Sequence, residues 1–197
     1  MTLDASARSM DRKPKCIIVT GRQGSGKSTL AAKLARALWM PLVSRDEIKE
    51  GYVNTRGVSH DQLPPETNRL VTDLFFRLVD EHLAAGVSAV IEAAFQHKVW
   101  EYRMPRLSEL ADVCLVVCTV DIETAAERSI RRGLEYPDRE FYHGDGHVVH
   151  YKKTGEILTP APYEPPRFDL PTITVSTEGE YTPGIDKIAK QIRSSAT

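Results

Sequence analysis

Hydrophobic positions along the chain alternate between short continuous runs and longer segments with helical spacing. The continuous runs predict strands at residues 16–20, 40–44, 87–92, 113–120 and 171–176. Most segments between them repeat apolar residues every three or four positions, as amphipathic helices do. Strands that alternate with helices favour a doubly wound α/β fold, in which a parallel sheet is covered on both faces. We therefore predict a five-stranded parallel sheet.

Three helices have clear sequence signals. The segment near 66–85 carries an apolar stripe that should pack on the sheet: Leu70, Val71, Leu74, Phe75, Leu78, Val79 and Leu83. After the fourth strand, Asp121 is the predicted N-cap of a helix that ends in Arg131-Arg132, with Gly133 as its stop. The last helix should start near Thr182-Pro183, because proline favours the first helical position.

Two stretches break the alternation of strands and helices. Residues 51–65 contain turn formers and Pro64-Pro65, and residues 133–170 contain aromatics, histidines and several prolines without a period. Loops of this length inside a compact domain are usually functional or disordered. We interpret residues 1–14 as a disordered leader and 15–195 as one domain, with a lid at about 133–170.

A glycine-rich segment lies between the first strand and the first helix. It fits the phosphate-loop pattern G-x-x-x-x-G-K-[ST], whose backbone N–H groups and lysine bind a polyphosphate. Ser28 would then ligate Mg²⁺. The nucleotide-binding residues predicted here are Gly21, Arg22, Gln23, Gly24, Ser25, Gly26, Lys27, Ser28 and Thr29. The pattern indicates a nucleoside triphosphate, ATP or GTP, with Mg²⁺ as cofactor.

A carboxylate follows the second strand. Asp46 belongs to the segment SRDEIK and would lie at the carboxyl end of a parallel strand, where open α/β sheets form their ligand crevice. It could accept the proton of a substrate hydroxyl that attacks the γ-phosphorus. The alternative is that Asp46 only caps the helix that follows.

The combination of GRQGSGKST, SRDEIK and VIEAAF resembles the small P-loop kinases related to zeta toxin, chloramphenicol phosphotransferase and the polynucleotide kinase domain. The resemblance covers most of residues 15–193 and implies the strand order 2-3-1-4-5. It implies that Asp46 is the general base and that Arg45 helps to hold the acceptor. Polynucleotide kinases usually have aspartate where this chain has Glu92, so Glu92 could contact the acceptor, hold a Mg²⁺ water or cap a helix.

The resemblance also implies an arginine-bearing lid after the fourth strand. Arg128, Arg131 and Arg132 are spaced for one helix face, and we expect Arg132 or Arg131 to neutralise phosphate charge during transfer. Arg128 could instead lie against the nucleotide base. Capping of the helix carbonyls is the alternative for all three arginines.

Histidines raise a second possibility for the lid. His143 and His147 have the spacing of two metal ligands, but glycines interrupt the helix and cysteine is not nearby. We expect His143, His147 and His150, with Tyr142 and Tyr151, to touch the acceptor instead. His97 is a further acceptor-binding candidate, with an ordinary surface position as its alternative.

Composition narrows the class of partner. Lysine and arginine number 26 against 27 acidic residues, which does not favour binding along nucleic-acid backbones. The three cysteines lie in apolar runs, and residues 1–13 lack an apolar signal segment, so we expect a cytoplasmic protein without a membrane span. The leading hypothesis is a kinase for a hydroxyl of an antibiotic-, nucleoside- or sugar-like molecule. A 5′-polynucleotide kinase and a nucleotide switch or ATPase are the alternatives.

Overall fold

The computed structural model describes residues 12–195, so the predicted leader lies mostly outside the described residues. The five strands are β1 (Lys15–Thr20), β2 (Leu42–Ser44), β3 (Ala89–Glu92), β4 (Asp112–Thr119) and β5 (Thr172–Ser176). They form one parallel sheet in the order β2-β3-β1-β4-β5. The predicted fold class, sheet and strand order are therefore confirmed.

Helices follow each of the first four strands and close the chain. They are α1 (Lys27–Leu38), α2 (Arg45–Arg56), α3 (Thr67–Ala84), α4 (His97–Leu110), α5 (Ile122–Glu135), α6 (Arg139–His143), α7 (Gly146–Thr154) and α8 (Ile185–Ser194). A short 3-10 helix, His60–Gln62, lies between α2 and α3. No helix within residues 12–195 is long and apolar enough to cross a membrane.

Strand side chains alternate between two hydrophobic cores. Cys16 and Ile18 of β1 face the core covered by α3 and α4, whereas Ile17 and Val19 face the core covered by α1 and α8. Burial on both sides explains why these strands are continuous apolar runs. An aromatic cluster fills the first core: Phe75, Phe76, Phe95 and Trp100.

Several sequence-based boundaries were wrong. The helix after β4 does not stop at Gly133 but continues to Glu135, and Gly133 is glycine because α7 packs on it: a Cβ there would lie 2.5 Å from Val148 Cγ2. The last helix starts at Ile185, after Gly184 in an extended N-cap conformation. The two stretches predicted as loops contain helical residues: residues 51–65 include the end of α2, and the predicted lid region 133–170 includes α6 and α7. Leu70 is 44% exposed, so the stripe on α3 is narrower than predicted.

Candidate active site

Parallel strands end at the same edge of the sheet, and the candidate site forms there. The phosphate loop turns from β1 into α1 through Gly24 and Gly26, with φ of 78° and 76°. These left-handed conformations favour glycine. Gly24 also lies against the backbone of Ala125 in α5, where a Cβ would collide with the carbonyl. The loop is therefore shaped both by its own glycines and by the close packing of α5.

Glu92 links the phosphate loop to the end of β2. Its Oε1 lies 3.3 Å from Lys27 Nζ and accepts a hydrogen bond from Ser28 Oγ at 3.3 Å. Its Oε2 accepts one from Ser44 Oγ at 2.8 Å. Glu92 is the last residue of β3 and is 1% exposed, so the helix-cap alternative does not describe it. A buried carboxylate thus positions both functional groups of the phosphate-loop motif.

Asp46 lies in the first turn of α2, after the N-cap Ser44, and makes no capping hydrogen bond. The capping alternative therefore does not account for it. Burial alone would raise the pKa of its carboxyl, but the charges of Lys27, His143 and Arg45 outweigh burial and lower it. Asp46 is therefore a carboxylate held within the field of the phosphate-loop lysine.

Arg45 hydrogen-bonds both to Asp46 beside it on α2 and to Asn68 on α3. Its Nη1 donates to Asp46 Oδ1 at 3.4 Å, and its Nη2 donates to Asn68 Oδ1 at 3.0 Å. The remaining guanidinium nitrogen, Nε, is buried without a hydrogen-bond partner among the described residues. Arg45 therefore has donor capacity left within the site.

The three arginines of α5 point in different directions, although the sequence placed them on one face. Arg131 is exposed. Arg132 is partly buried: burial and Arg139 lower the pKa of its guanidinium, and the charges of Asp145, Asp46 and Glu92 oppose the shift. Its Nε is buried without a partner among residues 12–195.

Arg128 lines a separate cleft on the other side of the phosphate loop. Its Nη2 donates to the carbonyls of Thr177 and Glu178 at 2.8 and 3.0 Å. The cleft has a volume of about 630 Å³, and its walls include Gly26, Thr29 and Tyr181. This position, beside the start of α1, suits the base and sugar of a nucleotide.

The segment that contains α6 contacts α2 through Glu50. His143 Nε2 and Glu50 Oε1 are 2.7 Å apart, and Arg139 Nη1 lies 4.0 Å from the same oxygen; within the segment, Arg139 Nε lies 3.5 Å from Asp145 Oδ2. Gly144, with a φ of 64°, packs so closely on the 3-10 helix that a Cβ would meet His60 and Asp61. Sequence reasoning missed Glu50 and Asp145, since their isolated carboxylates carry no motif.

A second set of hydrogen bonds joins the lid to the phosphate loop. Gln23 Nε2 donates to Ser129 Oγ at 2.9 Å, and the same hydroxyl lies 2.9 Å from His147 Nε2. Burial lowers the pKa of His147, and Asp145 opposes the shift. Within residues 12–195, no cluster of three or more candidate metal-ligating side chains occurs. His143 instead contacts Glu50, and His147 contacts Ser129.

The extended segment 155–171 crosses the site as a strap. Tyr163 OH is 2.9 Å from Thr20 Oγ1, at the end of β1. Gln96 Nε2 donates to the Pro162 carbonyl, while Gln96 Oε1 accepts from the backbone N–H of Glu164. His97 Nδ1 accepts from the backbone N–H of Arg167 at 3.2 Å. His97 therefore holds the strap in place through its ring.

The strap covers a cavity of about 390 Å³ next to the phosphate loop. Its polar lining comes from Arg22, Gln23, Gln96, Ser129, His147 and Tyr163. Alanine, isoleucine, leucine and proline side chains supply much of the remaining wall. The cavity lies between the loop after β3 and α5. The sequence did not predict it, because residues 157–163 have no recognisable pattern.

A family model described as an AAA domain matches residues 16–146. The chain belongs to this family. The matched AAA domain includes the phosphate loop, Asp46, Glu92 and α5, and it ends at the start of α7. No curated protein matches the chain.

Solved structures of P-loop kinases share the fold of this AAA domain. A candidate kinase from Chloroflexus aurantiacus is 22% identical, with a TM-score of 0.75, over 94% of this chain and 100% of that one. The APS kinase of Mycobacterium tuberculosis is 17% identical, with a TM-score of 0.60, over 93% and 97%. A gluconokinase from Sinorhizobium meliloti is 16% identical, with a TM-score of 0.55, over 94% and 95%.

Proposed function

We propose that this AAA-domain protein is an NTP-dependent kinase that transfers the γ-phosphoryl group of ATP or GTP to a hydroxyl of a small molecule. We place it with the small P-loop kinases of the zeta toxin, chloramphenicol phosphotransferase and polynucleotide kinase group. The observation that carries the proposal is Asp46, a carboxylate beside the phosphate loop whose pKa is lowered chiefly by Lys27, against burial. In an alcohol kinase such a carboxylate serves the attacking hydroxyl.

The phosphate loop binds the donor in this account. Backbone N–H groups of residues 21–28 surround the β-phosphate, and Lys27 contacts the β- and γ-phosphates. Arg128 and Tyr181 hold the base in the cleft that they line. Ser28, with Glu92 next to it, offers the hard oxygen donors that Mg²⁺ prefers. The ion, when bound, neutralises charge on the phosphates.

Asp46 orients the acceptor hydroxyl and takes its proton as the oxygen attacks the γ-phosphorus. A carboxylate with a lowered pKa is a weak base, so proton transfer completes late, when the bond to phosphorus is well advanced. Arg132, near the end of α5, stabilises the negative charge that develops on the transferring phosphoryl group. In this account the region 133–170 shields the site from water when the substrates are bound, which favours transfer over hydrolysis.

The pairing of surface arginines and lysines with carboxylates supports a small acceptor over the end of a polynucleotide. Arg103 pairs with Asp73 at 2.6 Å, and Arg106 pairs with Glu109 at 2.7 Å. Lys152 lies 3.3 Å from Glu140. These residues could have formed a path for a strand, but each has a carboxylate partner.

Phosphoryl transfer from γ-labelled ATP and GTP tests the proposal. The full chain is incubated with Mg²⁺ and pools of sugars, sugar acids, nucleosides, aminoglycosides and hydroxylated antibiotics, and the products are separated from inorganic phosphate. We expect label in an organic product. Label only in inorganic phosphate would favour an ATPase, and label only on a 5′-hydroxyl oligonucleotide would favour the polynucleotide kinase alternative.

A further inference from the structure

The cavity under the strap is large enough for a small organic molecule. Its volume is about 390 Å³, and a cavity of about 150 Å³ already holds benzene. The wall combines the start of the phosphate loop, the loop after β3, one side of α5 and the strap itself. The strap lies beyond residues 16–146, so the family model does not describe this part of the wall.

Two polar groups of the wall already have partners. The Thr20 hydroxyl donates to the Ala93 carbonyl at 2.8 Å, so the Tyr163 hydroxyl, 2.9 Å away, donates to the Thr20 oxygen. The Gln96 amide is also engaged, because its nitrogen donates to a backbone carbonyl of the strap and its oxygen accepts from a backbone N–H there. Tyr163 and Gln96 therefore hold the strap and leave little hydrogen-bonding capacity for a ligand.

Three more polar groups of the wall are paired with one another. Gln23 Nε2 donates to Ser129 Oγ, and burial lowers the pKa of His147, so a neutral ring nitrogen accepts from the same serine. Arg22 is the exception, since its Nη1 is buried without a hydrogen-bond partner within residues 12–195. A sugar or another polyol would exchange its bonds to water for a wall that offers few in return, which costs free energy.

The apolar part of the wall is incompletely covered in the protein alone. Ile130 is buried, but Ile157 and Leu158 of the strap are 44% and 46% exposed. Exposed hydrophobic side chains that adjoin one another and line a cavity are typical of a binding site. A ligand with an apolar group would cover both strap side chains and fill the space next to them.

The register of the sheet brings the cavity close to Asp46. Ser44 at the end of β2 pairs with Glu92 at the end of β3, and paired strands are about 4.8 Å apart. Asp46 and Ala94 each follow two residues later, and Ala94 lines the cavity. A small molecule can therefore place a hydroxyl beside Asp46 and the rest of its structure in the cavity.

We propose that the acceptor is an alcohol with a largely apolar group of the size of an aromatic ring, and that the cavity under the strap binds this group. The inference rests on the proposed function, because Asp46 must receive the reacting hydroxyl. It selects hydrophobic hydroxylated compounds over sugars, sugar acids and other polyols. Contact with Ile130, Ile157 and Leu158 then supplies much of the affinity for the acceptor.

Binding of benzyl alcohol tests the site without turnover. The full chain is saturated with Mg²⁺ and the non-hydrolysable analogue AMPPNP, and a parallel titration omits AMPPNP. Benzyl alcohol or glycerol is added while amide NMR shifts of residues 125–130 and 157–161 are followed. Leu158→Ser removes part of the apolar wall, and Leu158→Met keeps it. Val87→Ser, at a similarly exposed position before β3 and at the opposite end of the sheet, is the control.

We expect benzyl alcohol to bind wild type and Val87→Ser saturably and equally, with or without AMPPNP, and glycerol to shift neither protein saturably. Leu158→Ser should weaken binding about fivefold or more, because apolar contact is lost, whereas Leu158→Met should change it less than about twofold. The proposal is overturned by the absence of saturable binding in the wild type or by equal binding to Leu158→Ser. Binding that AMPPNP abolishes also overturns it, because the cavity would then hold part of the nucleotide.

Kinetics connect the cavity to phosphoryl transfer. Hydrophobic alcohols should give a higher kcat/KM than polyols in the transfer assay. On the best acceptor, Leu158→Ser should raise KM about fivefold or more and change kcat less than about threefold. A polyol as best acceptor, or a KM that does not depend on Leu158, overturns the inference and leaves the kinase function standing. Transfer to no acceptor overturns the proposed function and the acceptor role together, and the benzyl alcohol titration then decides only whether the apolar site exists.

Discussion

The Lys27 ammonium lies 3.3 Å from the Glu92 carboxylate, and both side chains are almost completely buried. The pair joins α1 to the end of β3. Ser28 and Ser44 add hydrogen bonds to the same carboxylate, so Glu92 has a partner on each oxygen. Glu92 therefore has a structural task in addition to any role in holding Mg²⁺.

Removal of Glu92 should expose the cost of that buried pair. Glu92→Ala leaves Lys27 buried without a counter-charge, which typically costs about 3 kcal/mol. For a domain of this size the melting temperature should fall by roughly 6–12 °C. Glu109→Ala, which breaks a surface pair with Arg106, is the matched control and should change the melting temperature little. A Glu92→Ala protein that melts with the control would show that the pair is not stabilising.

The sequence predicted the fold, and the position of the phosphate-loop segment between β1 and α1, for physical reasons. Buried parallel strands are continuous apolar runs, so the run 113–120 identified β4, and the phosphate loop has a spacing that few other turns share. The positions of Arg128, Arg131 and Arg132 could not be separated, because a residue's direction at the end of a helix depends on its neighbours. Gly133 was misinterpreted as a helix stop because its contact with Val148 of α7 cannot be read from the sequence. That contact leaves no room for a Cβ.

The metal role of Ser28 has its own test. Ser28→Ala removes one oxygen donor while Lys27 and the glycines still bind the phosphates, so nucleotide affinity without metal should change little. The Mg²⁺ concentration for half-maximal transfer should rise at least tenfold. Ser108→Ala, on the exposed side of α4, is the control. An unchanged Mg²⁺ dependence would show that Ser28 is not a ligand.

Arg132 and Arg131 form a matched pair on one helix. Arg132 is partly buried and its charge is coupled to those of Asp46 and Glu92, whereas Arg131 is exposed. Arg132→Ala should lower kcat by about 10²-fold or more with a smaller effect on nucleotide affinity, because the guanidinium meets charge that develops during transfer. Arg131→Ala should stay within threefold of wild type. If neither substitution changes the rate beyond about threefold, both arginines only cap α5 and the transition-state role is wrong.

The pH dependence of transfer should report the charges around Asp46. Burial raises the pKa of this carboxyl, but the charges of Lys27, His143 and Arg45 outweigh burial and lower it. Asp46 should therefore stay ionised, and the enzyme active, at pH values below the ordinary pKa of an aspartate. Activity is lost only as pH falls through this lowered pKa. Arg45→Gln removes one of the lowering charges, so the acid limb of kcat/KM should move to higher pH. Arg77→Gln on the exposed side of α3 should leave the limb in place, and an unmoved limb in Arg45→Gln would contradict the assignment.

The most direct measurement of the central claim is the single-turnover rate of phosphoryl transfer by Asp46→Asn. Asparagine is nearly isosteric, and Asp46 does not cap α2, so the melting temperature should stay within a few degrees of wild type. Nucleotide affinity should also persist, because the phosphate loop is a different turn. The transfer rate should fall about 10²- to 10⁴-fold, since the proton acceptor is lost. Transfer at the wild-type rate, by a folded variant that binds ATP or GTP normally, would contradict the account and move the base elsewhere.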